Sequence, residues 1–420
     1  MLFLYRLGLL VYSGLMYLAA LWHPKAKLWV GGRKGLIQKV AEKLNTAEQR
    51  AWFHFASLGE FEQGRPVMEA LKKERPELKL VVTFFSPSGY EIRKNYALVE
   101  AVFYLPLDTP QHAADFIRLV NPQMAIFTKY EYWYFFFREL HRKRIPLYLI
   151  SGIFRPKQVF FKWYGGLYRR MLGFVSHFFV QNTESQDLLA QLGFDQVSVS
   201  GDTRFDRVAE LAHHPRVLPE LKAFCGSSPV FIAGSTWPAD EALLCELLKK
   251  YPDWKLIIAP HEVDEAHIQE LMKRFPKGQA IRYTELESQN LKVKNRTTHN
   301  LQPAILIVDT IGMLSSLYAY GDVAYIGGGF GKGIHNTLEA AAYGLPVIFG
   351  PNYEKFQEAK DLIEESAGFS VANVQELERV FGSLQDEAKR KAAGKAAGAY
   401  VQNQVGATAV ILKHILSYRA

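Results

Sequence analysis

The chain has 420 residues, 49% of them hydrophobic, which excludes a disordered chain and suits two domains of roughly 150–200 residues, each with its own core. It carries a net charge of +8 and two cysteines, Cys225 and Cys245, in no metal-ligand or disulfide pattern. That balance favours anionic partners. No nucleic-acid-binding motif is present, which leaves an anionic membrane surface and phosphorylated substrates.

From Leu7 to Trp22 the chain reads LGLLVYSGLMYLAALW, sixteen residues without a charge. A bilayer span needs roughly 20. Counting from Met1 reaches that length only if Arg6 snorkels to the interface. Lys25, Lys27, Arg33 and Lys34 follow, and by the positive-inside rule they predict a cytoplasmic body. Residues 1–35 are therefore expected to form a membrane anchor with a basic flank. The competing expectation is a buried first helix of the domain.

Past residue 50, apolar runs alternate with helical patterns. Strands are predicted at 51–57, 78–85, 101–105, 124–128, 146–151, 177–181 and 196–200, then at 229–235, 255–260, 279–283, 305–310, 322–328 and 346–350. Near-continuous hydrophobic strands spaced by helices predict parallel sheets covered on both faces. The fold class is α/β, with two Rossmann-like domains and a cleft between them. Their expected extents are 36–205 and 229–420, joined by a linker over 206–228. One half-exposed helix is expected over 386–417.

Ligands of open α/β sheets sit beyond the carboxyl ends of the strands, so residues that follow strands carry the functional signal. Gly327, Gly328 and Gly329 follow a strand, and His335-Asn336-Thr337-Leu338-Glu339 enters a helix. Asn336 and Glu339 have capping-box spacing, which needs no ligand. A capping box does not need the glycines, however. Bare backbone beside a helix start suits a nucleotide phosphate, and the carboxylate suits a ribose diol. Ser57-Leu58-Gly59-Glu60 poses the same choice, a capping box or a general base at the top of the first strand.

These stretches are not isolated. ASLGE, FFSPSGYE (84–91), YLPLDTP (104–110), LGFDQVSVSGDTRFD (192–206), IAGSTWPADE (232–241) and the run 328–359 resemble, in order, the transferases of 3-deoxy-D-manno-octulosonic acid (Kdo) in lipopolysaccharide synthesis. The resemblance implies a GT-B architecture and a membrane-associated N-terminal helix. It implies inverting, metal-independent transfer from CMP-Kdo onto a lipid A precursor at the cytoplasmic face of the inner membrane. It places Glu60 on the catalytic base, and His335, Asn336 and Glu339 on the nucleotide-binding element. Ser235 and Thr236 fall on a Gly-Ser-Thr turn, and Arg204 on a basic residue after Gly201-Asp202. Pro260 and His261 are what remains of an arginine-containing donor segment.

Other departures from the pattern are Gly312-Met313 for Gly-Glu, Lys129 in place of a partner for Glu131, and SGIFRP over 151–156. Arg204, the helix dipole before Glu339 and the 327–333 backbone are expected to neutralise the donor's phosphate and carboxylate without a metal. On the acceptor and membrane side the expected residues are Ser57, Gly59, Glu131, Arg155, Lys157 and Lys162. The aromatic and basic stretch 153–170 is read as interfacial, and 130–140 as a buried helix. His54, His177 and His261 are read as structural histidines, and Asp108 as a turn or cap residue. The alternatives are a GT-B enzyme using a UDP-sugar, or its epimerase relative, and a non-catalytic lipid-sugar binder.

Overall fold

In the computed structural model, which describes residues 1–129, 131–292 and 303–417, the chain divides into two compact units. The first comprises Met1–Arg207 together with the chain from Val405 onward, and the second Val208–Gln404.

The first unit is built on seven parallel strands: β1 (Arg50–Phe55), β2 (Lys79–Phe84), β3 (Ala101–Tyr104), β4 (Pro122–Thr128), β5 (Leu147–Gly152), β6 (His177–Val180) and β7 (Val197–Val199). Their order is β3-β2-β1-β4-β5-β6-β7. All six residues of β1 are buried, as its unbroken apolar sequence requires when helices cover both faces. Trp52 lies in register with Val81 on one side and Ala125 on the other. Its ring meets Phe116 and Phe127 at 5.1 Å and Phe136 at 5.6 Å, so one large side chain fills the space its small neighbours leave. Arg50, fully buried at the strand's start, pairs with Glu100 at 2.6 Å and Glu48 at 3.1 Å.

The second unit repeats the plan with β8 (Val230–Thr236), β9 (Lys255–Pro260), β10 (Ala280–Arg282), β11 (Ile305–Ile307), β12 (Val323–Ile326), β13 (Val347–Phe349) and β14 (Gly368–Ser370). The order is β10-β11-β9-β8-β12-β13-β14, again parallel. In each sheet the winding reverses once, between β1 and β4 in the first and between β8 and β12 in the second. Those switch points are where an open α/β sheet leaves a crevice for a ligand.

Four points differ from expectation. The stretch 386–417 is two helices, Glu387–Asn403 and Ala407–Ser417, parted at Gly406 with φ +129°. Asp206 holds the break by accepting from Gly406 N at 2.7 Å, Thr408 N at 2.8 Å and Thr408 Oγ1 at 2.9 Å. The second of these helices packs with the first unit, where Ile411 and Ile415 join the core beside Met68 and Leu71, so the second domain does not run to the end of the chain. Residues 206–228 are no open linker either, since they lie largely within helices Thr203–His213 and Pro219–Cys225. Finally, β14 was not anticipated, because three residues carry too little period to read.

Candidate functional site

Glu60 stands in the first turn of helix Leu58–Glu74, directly after β1 and at the switch point of the first sheet. Ser57 is the N-cap. Its hydroxyl accepts from Gly59 N at 3.3 Å and donates to Glu60 Oε2. The capping geometry is thus real, yet Glu60 turns to the Ser57 side chain and remains partly exposed. A Cβ on the exposed Gly59 would meet only Ser57 Oγ, at 3.8 Å, so the protein itself does not require glycine there.

Across the switch point, after β4, Glu131 Oε2 accepts from Trp133 Nε1 and from His54 Nε2, both at 2.9 Å. Trp52 Nε1 donates to Thr83 Oγ1 at 2.8 Å, and the nearer acceptor for the Thr83 hydroxyl is His54 Nδ1, at 2.8 Å against 3.4 Å to Phe53 O. Nδ1 therefore accepts, and Nε2–H donates to Glu131. His54 is structural, as expected, and it positions Glu131. Tyr130 lies outside the described residues; Tyr134–Phe137 are buried, as read for that stretch.

Arg204 is not a cation held ready for a ligand. Its Nε and backbone N bind the buried Asp202 at 2.8 and 2.9 Å, and Gln63 Nε2 closes the same carboxylate at 2.6 Å. Burial pushes the Asp202 carboxyl up, but Arg204 and Lys129 outweigh it and hold it below the ordinary value. Arg155 and Lys157 are exposed and Lys162 half-buried, beside Trp163, whose side chain is 91% exposed.

In the second unit, the residues that follow β8, β9 and β12 converge. The glycines meet the protein's own backbone. A Cβ on Gly327 would lie 2.3 Å from Ser235 O, and one on Gly329 2.5 Å from Gly350 Cα. Gly327, Gly328 and Gly329 are all buried; the first and last face the neighbouring strand ends, and Gly328 faces Gly333 O and the His335 ring of its own turn. The amides also turn inward: Gly327 N donates to Gly234 O at 2.9 Å, Gly331 N to Gly328 O at 3.0 Å and His335 N to Gly327 O at 3.1 Å. Thr236 and Pro260 are likewise buried. Thr236 Oγ1 donates to Glu241 at 3.1 Å, while Ser235, with φ +54°, stays half-exposed.

Asp240 is the organiser that sequence reasoning missed. This buried carboxylate accepts from Trp237 N at 2.9 Å, Gly328 N at 2.9 Å and Tyr325 Oη at 2.7 Å, tying the start of helix Pro238–Leu248 to the glycine turn. The signal was Trp237-x-x-Asp240, a capping spacing directly after a strand.

Trp237, also missed, completes a stack of three rings. His261 lies between Trp237 at 4.8 Å and His335 at 4.3 Å. Trp237 Nε1–H donates to His335 Nε2 at 3.1 Å, which places the His335 proton on Nδ1. Burial, then the neighbouring His261, holds His335 below the ordinary imidazole value against the opposing pull of Asp240. His261 is thus exposed and aligned with the site rather than a structural histidine. Asn336 caps through Leu338 N at 3.2 Å, and its amide holds Glu339 at 3.0 Å, so the reciprocal capping box does not form. The helix behind them, Leu338–Ala342, has only five residues, too few for the expected dipole.

Comparison with known proteins gives this geometry its relatives. Residues 30–207 match the family model described as 3-deoxy-D-manno-octulosonic-acid transferase (kdotransferase). Curated 3-deoxy-D-manno-octulosonic acid transferases are similar along most of the chain. The one from Aquifex aeolicus is 26% identical, covering 80% of this chain and 86% of its own; the Haemophilus influenzae protein is 27% identical, covering 80% and 79%. The Chlamydia trachomatis serovar A protein is 28% identical, covering 81% and 79%. The chain is thus similar to Kdo transferases over about 80% of its length.

Solved structures extend the likeness in fold alone. UDP-GlcNAc 2-epimerase from Neisseria meningitidis, bound to UDP-GlcNAc, superposes with a TM-score of 0.60 at 15% identity, covering 88% of this chain and all of that one. The Methanocaldococcus jannaschii UDP-GlcNAc 2-epimerase gives 0.53 at 14%, covering 85% and 99%. The chain thus has the expected GT-B fold of two Rossmann-like units. Its Glu60 and its ring stack stand at corresponding places, each beside a switch point.

Proposed function

We propose that this chain transfers Kdo from CMP-Kdo onto a lipid A precursor with inversion. The observation that carries the reading is Glu60, a partly exposed carboxylate set by the Ser57 hydroxyl at the switch point of the first sheet. There it acts as general base on the acceptor hydroxyl, a role worth about 10²–10⁴-fold in rate. Inversion follows when that hydroxyl attacks opposite the departing CMP.

The second unit binds the donor through the surface formed by Ser235, Trp237, His261, His335, Asn336 and Glu339. The donor's two negative charges need a different set of partners from those expected, since Arg204 is engaged by Asp202 and the glycine amides are turned inward. We assign that work to His335, whose Nδ1–H is pinned as a donor, and to Lys332, exposed on the glycine turn. No divalent cation takes part in this reading. In this reading the enzyme acts at the cytoplasmic face of the inner membrane; supporting a membrane association is helix Leu2–Ala19, the one described helix apolar and long enough to cross a bilayer.

Incubating the full chain with a lipid A precursor and CMP-Kdo, generated in situ, tests the whole reading by mass spectrometry of the lipid. A gain of one or more Kdo masses, unchanged by a chelator, is expected. Transfer from a UDP-sugar instead, or loss of activity with the chelator, overturns the donor or the metal-free step respectively.

A further inference from the structure

Trp237 stands where β8 passes into helix Pro238–Leu248, and the proline after it restricts it to extended backbone, φ −118° and ψ 166°. One oxygen of Asp240 accepts from Trp237 N and from Gly328 N, each at 2.9 Å. A single buried carboxylate therefore fixes both chain segments that the His335 ring touches. Gly328, at φ +92°, is what admits that ring, since a Cβ there would lie 3.0 Å from its Cδ2 and 3.2 Å from its Nε2. His261 packs against both partners, at 29° to the indole and 23° to the imidazole, and holds them in one group.

This scaffold serves one contact, Trp237 Nε1–H to His335 Nε2 at 3.1 Å. An indole nitrogen only donates. A serine, a glutamine or a second imidazole could donate or accept, and would leave His335 free to carry its proton on either nitrogen. Against Trp237, Nε2 serves only as acceptor, so a neutral ring has its proton on Nδ1. The ring is neutral at pH 7, because burial, then His261, keeps it below the ordinary imidazole value while Asp240 pulls the other way. Nδ1 has no partner among the described residues, and His335 is only half-buried. The opposite tautomer would present a lone pair at that point and repel an oxyanion.

We propose that Trp237 is a positioning residue for the nucleotide phosphate: without touching the phosphate, it fixes the His335 proton on Nδ1 and so makes that ring a hydrogen-bond donor to the oxyanion. The phosphate comes from the CMP-Kdo reading above, on which this role rests; the Trp237–His335 contact does not.

Nitrogen NMR of the full chain with labelled histidines reads the tautomer, and His335→Ala identifies the signal among the 12 histidines. Native His335 should show its proton on Nδ1. Trp237→Phe keeps an aromatic face for His261 and removes the N–H. The ring should then populate both tautomers, and CMP affinity should fall about ten-fold, the scale of one lost hydrogen bond to a charged group. In a His335→Ala background the same substitution should cost nothing further, because Trp237 acts through that ring alone. A native proton on Nε2, or a tautomer that survives Trp237→Phe, overturns the assignment, and the native spectrum decides even where the variant does not fold. Equal losses in the two backgrounds would put Trp237 itself against the nucleotide and overturn its positioning role. A changed tautomer with unchanged CMP affinity would take the phosphate away from the ring. Native protein that binds no CMP, with its proton on Nδ1, would reject the CMP-Kdo reading and the phosphate role with it, while upholding the Trp237–His335 contact.

Discussion

Glu60→Gln separates chemistry from binding most cleanly at the level of single residues. The amide keeps the shape but takes no proton, so transfer should fall by about 10²–10⁴-fold while titration with CMP shows unchanged affinity. Loss of both together would remove Glu60 from the role of base. Glu339→Ala asks the parallel question of the second unit. Glu339 accepts from the Asn336 side chain beside the ring stack, and on the donor-binding reading its removal should weaken CMP binding more than it lowers the melting temperature. A large drop in melting temperature with intact binding would assign it to the helix start instead. Asp240→Asn should act oppositely, costing about 1–3 kcal/mol of stability because one buried carboxylate serves Trp237 N, Gly328 N and Tyr325 at once. Chemical denaturation of the variant measures that. The place of Glu60 after the first strand was legible from the sequence, but its role came from the resemblance, since spacing alone left a capping box equally open. Asp240 was not legible, because two of its three partners, Tyr325 and the Gly328 amide, are far away in sequence.

Among the elements, the strands were the most legible part, since unbroken apolar runs have a single use in a doubly covered parallel sheet. The glycines were read correctly in place, and the structure adds a packing reason for them. A sequence shows where side chains are missing but not what fills the gap, and here it is the backbone of Ser235 and Gly350. The helix break at Gly406 was hidden for a similar reason, because its anchor, Asp206, lies about half the chain away.

That closing helix also carries a pH dependence. His414 stacks on His177 at 3.9 Å, and burial, then the charge of His414, lowers His177 to about 4 from an ordinary 6.5. A depressed imidazole binds fewer protons folded than unfolded between those values. The stability it contributes is therefore present above about 6.5 and lost as pH falls toward about 4. Hydrogen exchange over 407–417 should accelerate at pH 5 relative to pH 7.5, and His177→Phe should flatten the difference. A helix equally protected at both values would dismiss the histidine pair as its acid-sensitive point.

Considered whole, the molecule is two similar parallel sheets, with an apolar helix near the start of the sequence and, near its end, a helix that returns to the core of the first unit. Cutting the chain after Gln404 should therefore damage the unit made first. Ile411 and Ile415 are buried in its core, at about 1.5–3 kcal/mol each, a sum comparable with the roughly 5–15 kcal/mol that holds a domain together. The truncated protein should lose its first-unit unfolding transition and much of its soluble yield.

The return of that last helix also sets a schedule. The ribosome delivers the first sheet early, with its apolar leader free to meet the bilayer, yet the piece that seals one face is translated after every residue of the second unit. Nascent chains of this protein must keep an unfinished hydrophobic face sheltered throughout that interval, by chaperone or by membrane, and complete their first domain last.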